Sequence, residues 1–217
     1  RSIGSKLLAR VALLASAGVL VCFALLVLRP VTASQAAISS ARRRLANRDW
    51  AGAEAQFQAA AKFDPLSAEP WIELTRIHYE RWRQERGRAS DEQFGQAVRS
   101  VETAIRLAPS SLEPYRLMGG LWETRAAREE QSWPQATQAY RRCVEIYPTS
   151  ATLHARLANS LWQSGAHDAA RVELRRALEL DSLTPHLDKK LPKQERDWIE
   201  RRLGEREPVP DGSRNGE

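Results

Sequence analysis

The chain has 217 residues, a net charge of +6 and 42% hydrophobic side chains. This is room for one ordinary domain and an appendage, with enough apolar content to exclude a wholly disordered chain. Its two cysteines, Cys22 and Cys143, exclude a disulfide scaffold and a Cys-ligated zinc site. The charge is unevenly spread: Arg1, Lys6 and Arg10 stand among the first 28 residues with no acid, and the remainder balances 30 basic against 27 acidic side chains. So near-neutral a body lacks the dense basic stripe that grips phosphate backbones, and a nucleic-acid partner is not expected.

After a basic flank over residues 1–10, residues 11–28 run VALLASAGVLVCFALLVL without a charge. At about 1.5 Å per residue a helix of that length spans about 27 Å, close to the hydrocarbon thickness of a bilayer. A retained transmembrane helix is the expected form, because lipid leaves no other way to satisfy the backbone. Arg29-Pro30 is expected to end it, with a linker over residues 29–34. The rival reading is a cleaved signal peptide, for which Val31-Thr32-Ala33 offers small residues. The apolar run is longer than signal peptides use, and Arg29-Pro30 separates it from that cleavage site. The basic excess before the span favours an N-terminal side in the cytoplasm and a large extracytoplasmic domain, in a membrane expected to be the bacterial inner membrane.

From Gln35 onward one triplet recurs: Ala53-Phe57-Ala60, Ala97-Val101-Ala104, Ala136-Tyr140-Cys143 and Ala170-Leu174-Ala177. The spacing of four then three residues puts all three side chains on one helix face. Five residues after each triplet stands Pro65, Pro109 or Pro148, replaced in the last copy by Ser182. Small residues flanking a large one let two helices approach closely, and the proline then turns the chain into its next unit. Ahead of the later triplets lie amphipathic helices carrying Trp71-Leu74-His78, Tyr115-Met118-Gly119-Trp122 and His154-Leu157-Ala158-Leu161, with Pro70 and Pro114 in tolerated first-turn positions. Turn signals separate the paired helices, among them Asn47-Arg48-Asp49-Trp50 and Ser164-Gly165-Ala166-His167.

These residues resemble the tetratricopeptide repeat (TPR), a 34-residue helix–turn–helix unit. The resemblance implies an all-α, TPR-type solenoid of four repeats over residues 35–67, 68–111, 112–150 and 151–182, about two-thirds of the chain. The first repeat departs most, with Ala37, Ser40 and Arg44 where larger apolar residues are usual. Inserts around Trp82–Asp91 and Ala126–Ser132 lengthen the second and third. A loop and capping helix follow over 183–204, with Trp198, Ile199 and Leu203 on one face, since a solenoid must cover its last apolar surface. Residues 205–217 are Pro/Gly/polar without period and read as a disordered tail.

Little in the chain points to catalysis. The four histidines, His78, His154, His167 and His186, have no partner at metal spacing, and no phosphate loop, nucleophile elbow or dinucleotide fingerprint occurs. No cofactor, metal or catalytic residue is expected. His78 and His154 fall at packing positions, and Cys143 reads as a small core residue. Cys22 reads as an apolar filler of the span.

The resemblance directs Arg42, Arg76, Tyr79, Arg116, Asn159 and Trp162 toward the concave face that first helices line. Arginine and aromatic side chains are enriched at interaction hot spots, and guanidinium groups favour carboxylates. The expected partner is a protein or peptide with acidic groups; the opposing reading is a solvated helix face. The carboxylate clamp of chaperone-binding TPR proteins is not matched, because its positions hold Ile38, Arg42, Ile72 and Arg116. The stretch Arg81, Arg83, Arg86 and Arg88 around Trp82 offers a basic patch for anionic headgroups or an acidic partner. Glu80, Glu85, Asp91 and Glu92 are interspersed, so an ion-paired solvated extension fits better.

The leading expectation is a membrane-anchored scaffold that binds partner proteins without catalysis. A second follows from the opening Arg1 and the order of span then repeats, which is similar to the C-terminal portion of polytopic O-antigen ligase-like glycan transferases. A third is a secreted soluble TPR protein left after signal cleavage.

Overall fold

The computed structural model describes residues 2–84, 88–186 and 189–204, in which helices are the only regular elements. The expected tail over 205–217 and the side chains of Arg86 and Arg88 lie outside what it describes. The chain divides into two compact units, residues 1–109 and 110–217. The first holds α1 (Ser2–Phe23), a π-helical turn (Ala24–Leu28), α2 (Arg29–Ala46), α3 (Trp50–Phe63), α4 (Glu69–Gln84) and α5 (Arg88–Leu107). The second holds α6 (Leu112–Ala126), a 3-10 turn (Glu130–Ser132), α7 (Trp133–Ile146), α8 (Ala151–Gln163), α9 (His167–Leu183) and α10 (Lys193–Gly204).

The helix end expected at Arg29-Pro30 is not there: helix runs from the apolar segment through Pro30 to Ala46. A proline ring inside an α-helix collides with the carbonyl four residues back, here that of Leu26, and removes one hydrogen bond. The π turn lies over that carbonyl, and the Arg29 N–H donates five residues back to Ala24 O. The wider winding accommodates the ring, the local adjustment by which proline is carried in membrane helices. The resulting Val11–Ala46 helix is the one described helix long and apolar enough to cross a membrane. Side chains of its first half, such as Leu14, Val19 and Leu26, stand clear of the packed unit.

The four triplets are the core of their helix pairs. Each of their side chains is at most 2% exposed. Helices α2 and α3, α4 and α5, α6 and α7, and α8 and α9 pack as hairpins. In the three copies followed by proline the helix stops three residues after the triplet, at Phe63, Leu107 and Ile146. In each, the N–H four residues past the last triplet position still donates to it: Asp64 to Ala60, Ala108 to Ala104, and Tyr147 to Cys143. Where Ser182 replaces the proline, α9 continues to Leu183.

The first hairpin packs despite its departures. Ile38 is fully buried beside Ala37 and Ala41, against Phe57, Leu74 and Ile77, and supplies the bulk that Ala37 lacks. Arg44 instead turns outward to Asp49 at 2.6 Å, whose other oxygen caps α3 by accepting from the Gly52 N–H at 2.9 Å. Trp82, expected on a basic surface patch, is buried between Tyr79 and Phe94, with ring centroids 5.9 and 5.0 Å away. The extra length of this repeat has therefore extended the core. Its arginines are ion-paired where described: Arg81 with Glu54 at 2.6 Å and Arg83 with Glu80 at 3.1 Å.

In the second unit Gly119 of α6 faces the Tyr140 ring so closely that an added Cβ would lie 2.6 Å from it. At the far end Ile199, Trp198 and Leu203 of α10 cover Ala155, Ala158, Leu174 and Ala177. The buried Asp181 locks this cap by accepting from the Leu191 N–H at 2.6 Å and pairing with Arg196. Overpacking one triplet tests the arrangement. Ala136→Leu, at a fully buried position, should cost about 1–3 kcal/mol of stability; a denaturation curve matching the wild type would contradict tight nesting there.

Candidate functional site

Each unit carries part of the expected binding face on its first helices. In the first unit, Arg42 on α2 reaches across to α4, donating to Glu69 at 2.9 Å and lying 3.5 Å from Glu73. Arg76 donates to the same Glu73 at 2.9 Å, so Glu73 links the two guanidinium groups. Tyr79 stands one turn further along α4, with the Arg83 guanidinium 5.7 Å from its ring centre. Arg42, Arg76 and Tyr79 thus lie on the neighbouring helices α2 and α4, joined by acidic partners that the sequence pattern does not reveal. Glu69 and Glu73 were legible as helix spacing on α4; their reach to α2 was not.

In the second unit Arg116 is held by its own helix neighbour Glu113 through two hydrogen bonds of 2.9 and 2.8 Å. The structure does not show Arg116 meeting Asn159 or Trp162. These two lie one turn apart on α8. The Asn159 amide donates to Glu123 of α6 at 3.4 Å. Trp162 packs under the Arg202 guanidinium of α10, 4.9 Å from its ring centre, with His167 at 4.7 Å on another side.

Glu123, absent from the sequence-based set, is the hub of this face. Its carboxylate accepts from the Tyr140 hydroxyl, from Arg156 at 2.9 Å and from Asn159. Burial first, and then the adjacent Glu123 charge, push the Tyr140 hydroxyl well above its ordinary value, so it remains a donor. A small cleft of about 230 Å³ opens here, lined by Glu123, Arg156, Asn159 and, from the cap, Glu195 and Trp198. Desolvation raises the Glu195 carboxyl above its usual range; Arg156 opposes the shift and Glu123 adds to it. The second carboxylate thus sits at an energetic disadvantage beside a polar opening.

The first unit has a second cleft of about 420 Å³ among α3, α4 and α5, bordered by Glu54, Trp71, His78 and Arg99. His78 is buried, and its Nδ1 donates to the Gln93 amide oxygen over 3.1 Å. Burial holds its imidazole below the ordinary value, against the smaller opposing effects of Gln93 and Glu54. His154 is likewise enclosed, with Glu173 at 2.6 Å and the Pro148 carbonyl at 3.0 Å. Cys143 is buried, and desolvation pushes its thiol up to about 12, the environment of a packing cysteine rather than a nucleophile. Among the described residues no three His, Cys, Asp or Glu side chains converge as metal ligands.

No protein-family model matches the chain, and no curated protein matches its sequence. Solved structures do resemble it. MamA (residues 41 to the end) from Desulfovibrio magneticus RS-1 aligns with a TM-score of 0.54 and 14% identity, over 79% of this chain and 91% of that one. YrrB, described as a TPR protein with an unusual peptide-binding site, gives a TM-score of 0.51 at 16% identity, over 67% of this chain and 68% of the other. PilF from Pseudomonas aeruginosa gives 0.52 at 16% identity, over 72% and 64%. Identities this low establish the fold alone: an all-α, TPR-type helical solenoid.

The raised Glu195 carboxyl makes a signed prediction. Below the unfolded carboxylate range both states are protonated and the residue is neutral to stability. As pH rises through the folded value the native state must ionise a disfavoured group, and stability falls. Glu195→Gln should therefore raise the urea midpoint at pH 7 and leave it unchanged near pH 3; a loss at pH 7 would show that Arg156 dominates instead.

Proposed function

We propose that this chain is a membrane-anchored scaffold that captures partner proteins through the first-helix faces of its TPR-type hairpins. The observation that carries the reading is the single Val11–Ala46 helix. Among the described residues its apolar half stands exposed outside the packed core, and its polar half is the first helix of the first hairpin. A cleaved signal would cut within or beside an element that the hairpin uses, since Ser34, Ala37 and Ile38 are buried in it. Tethering confines the scaffold to a plane and raises the local concentration of whatever it holds.

Capture would use Arg42, Arg76 and Tyr79 in one unit and Arg116, Asn159 and Trp162 in the other. The arginines of these faces already have carboxylate partners, but their own side chains are about half exposed. Exposed ion pairs are worth only about 0–1 kcal/mol each. A partner carboxylate can therefore replace Glu69 or Glu113 at small cost, so acidic segments remain the favoured class. Such binding gains its specificity from geometry and weakens with salt. The resemblance to the peptide-binding protein YrrB in fold is consistent with this use.

The test is affinity capture in mild detergent with the double variant Arg76→Glu/Arg116→Glu. Because both sites are surface ion pairs, the variant should melt within a few degrees of the wild type while losing the wild-type partners. Recovery of the same partners in the same amount would overturn the groove assignment.

A further inference from the structure

Helices α2 and α3 are antiparallel, so the chain that leaves the apolar segment along α2 returns toward it along α3. Ser34, near the start of α2, donates to the Ala60 carbonyl near the end of α3 at 3.1 Å. That bond fixes the register of the two helices. Phe63 lies three residues past Ala60, about 4.5 Å further along the axis, level with about residue 31 of α2. The turn that follows carries the chain through Leu66 into α4, and the uncharged run ends three residues before that level, at Leu28.

This turn bears exposed apolar groups. Phe63 is 48% exposed and Leu66 is 83% exposed. Lys62 beside them is exposed as well. On α2 itself Leu28 and Val31 are exposed at the same level. The headgroup layer of a bilayer is about 5–8 Å thick on each side of the hydrocarbon. A turn that starts at the level of residue 31, about 4.5 Å past Leu28 along the axis, therefore falls inside it. Aromatic and aliphatic tips with a basic neighbour are the side chains suited to that layer.

The helix through Pro30 adds a constraint. A flexible linker would let the first hairpin swing away from the membrane, but an unbroken helix holds the α3–α4 turn on the membrane-facing end of the unit. We infer that the turn Phe63–Leu66 docks into the lipid headgroup layer as a second membrane contact, which seats the first unit directly on the bilayer. The inference rests on the anchored reading above, with lipid as the occupant; a partner protein or a second copy covering the turn is a competing outcome.

Spin-label accessibility separates these outcomes in the full chain reconstituted into phosphatidylcholine–phosphatidylglycerol vesicles. Cys22→Ala removes the exposed thiol, and Cys143 is buried and free of label. Single sites are then introduced as Leu66→Cys, as Val19→Cys within the apolar run, and as Ala46→Cys at the opposite end of α2. The expected ratio of oxygen to nickel-chelate collision is highest at 19, intermediate at 66 and lowest at 46, with several-fold separation between 66 and 46. A ratio at 66 equal to that at 46, with 19 in lipid, would overturn the docking and leave the anchor standing. A label at 66 that is immobilised and shielded from both reagents would overturn it in favour of a protein contact. Water-like access at 19 would overturn the anchored reading and the docking with it.

Discussion

A proline can lie inside a helix only if the carbonyl one turn earlier gives way. The chain meets that constraint at Pro30 with the wider turn over Ala24–Leu28, and the organisation of the first unit follows. With the helix unbroken, the apolar segment and the first repeat helix are one continuous element. Its outward apolar side chains and its buried Ile38 and Ala41 then belong to successive stretches of a single element. Had the helix stopped at Arg29, the apolar segment and the repeats would be separate elements joined by a linker.

Beyond that helix, structure is built from close approach. Alanine or cysteine on either side of a large residue lets paired helices come near enough for Phe57, Val101, Tyr140 and Leu174 to fill the space between them. Glycine at 119 does the same for Tyr140 from the opposite helix. The pattern also has an electrostatic consequence. Because Tyr140 is an aromatic with a hydroxyl, its buried ring delivers a donor to the surface, where it fixes Glu123 beneath Arg156 and Asn159. A core position thereby orients this surface cluster.

Much of the fold was legible because it rests on local periodicity. The triplets, their prolines and the cap face of Trp198, Ile199 and Leu203 are written in spacings that a helix converts directly into shared faces. Two readings failed for the same reason, namely that local rules were outvoted by tertiary or winding effects. Pro30 reads as a terminator, yet a change in helix winding upstream absorbs it. Trp82 reads as a surface aromatic among arginines, yet Phe94 from the next helix encloses it. On the first-helix faces the arginines and aromatics stand out in the sequence by type, whereas Glu73 and Glu123 do not. Their importance comes from reaching neighbouring helices, and sequence separation of 31 and 33 residues hides such pairings from any periodicity.

The account turns on the continuity of helix between the apolar segment and the first hairpin. Residue-resolved amide hydrogen exchange of the full chain in lipid nanodiscs measures this directly. Continuity predicts that the amides of residues 31–37 exchange as slowly as those in the middle of α3. Fast exchange confined to residues 29–34, with α3 still protected, would contradict it and restore a flexible linker between the apolar segment and the repeats.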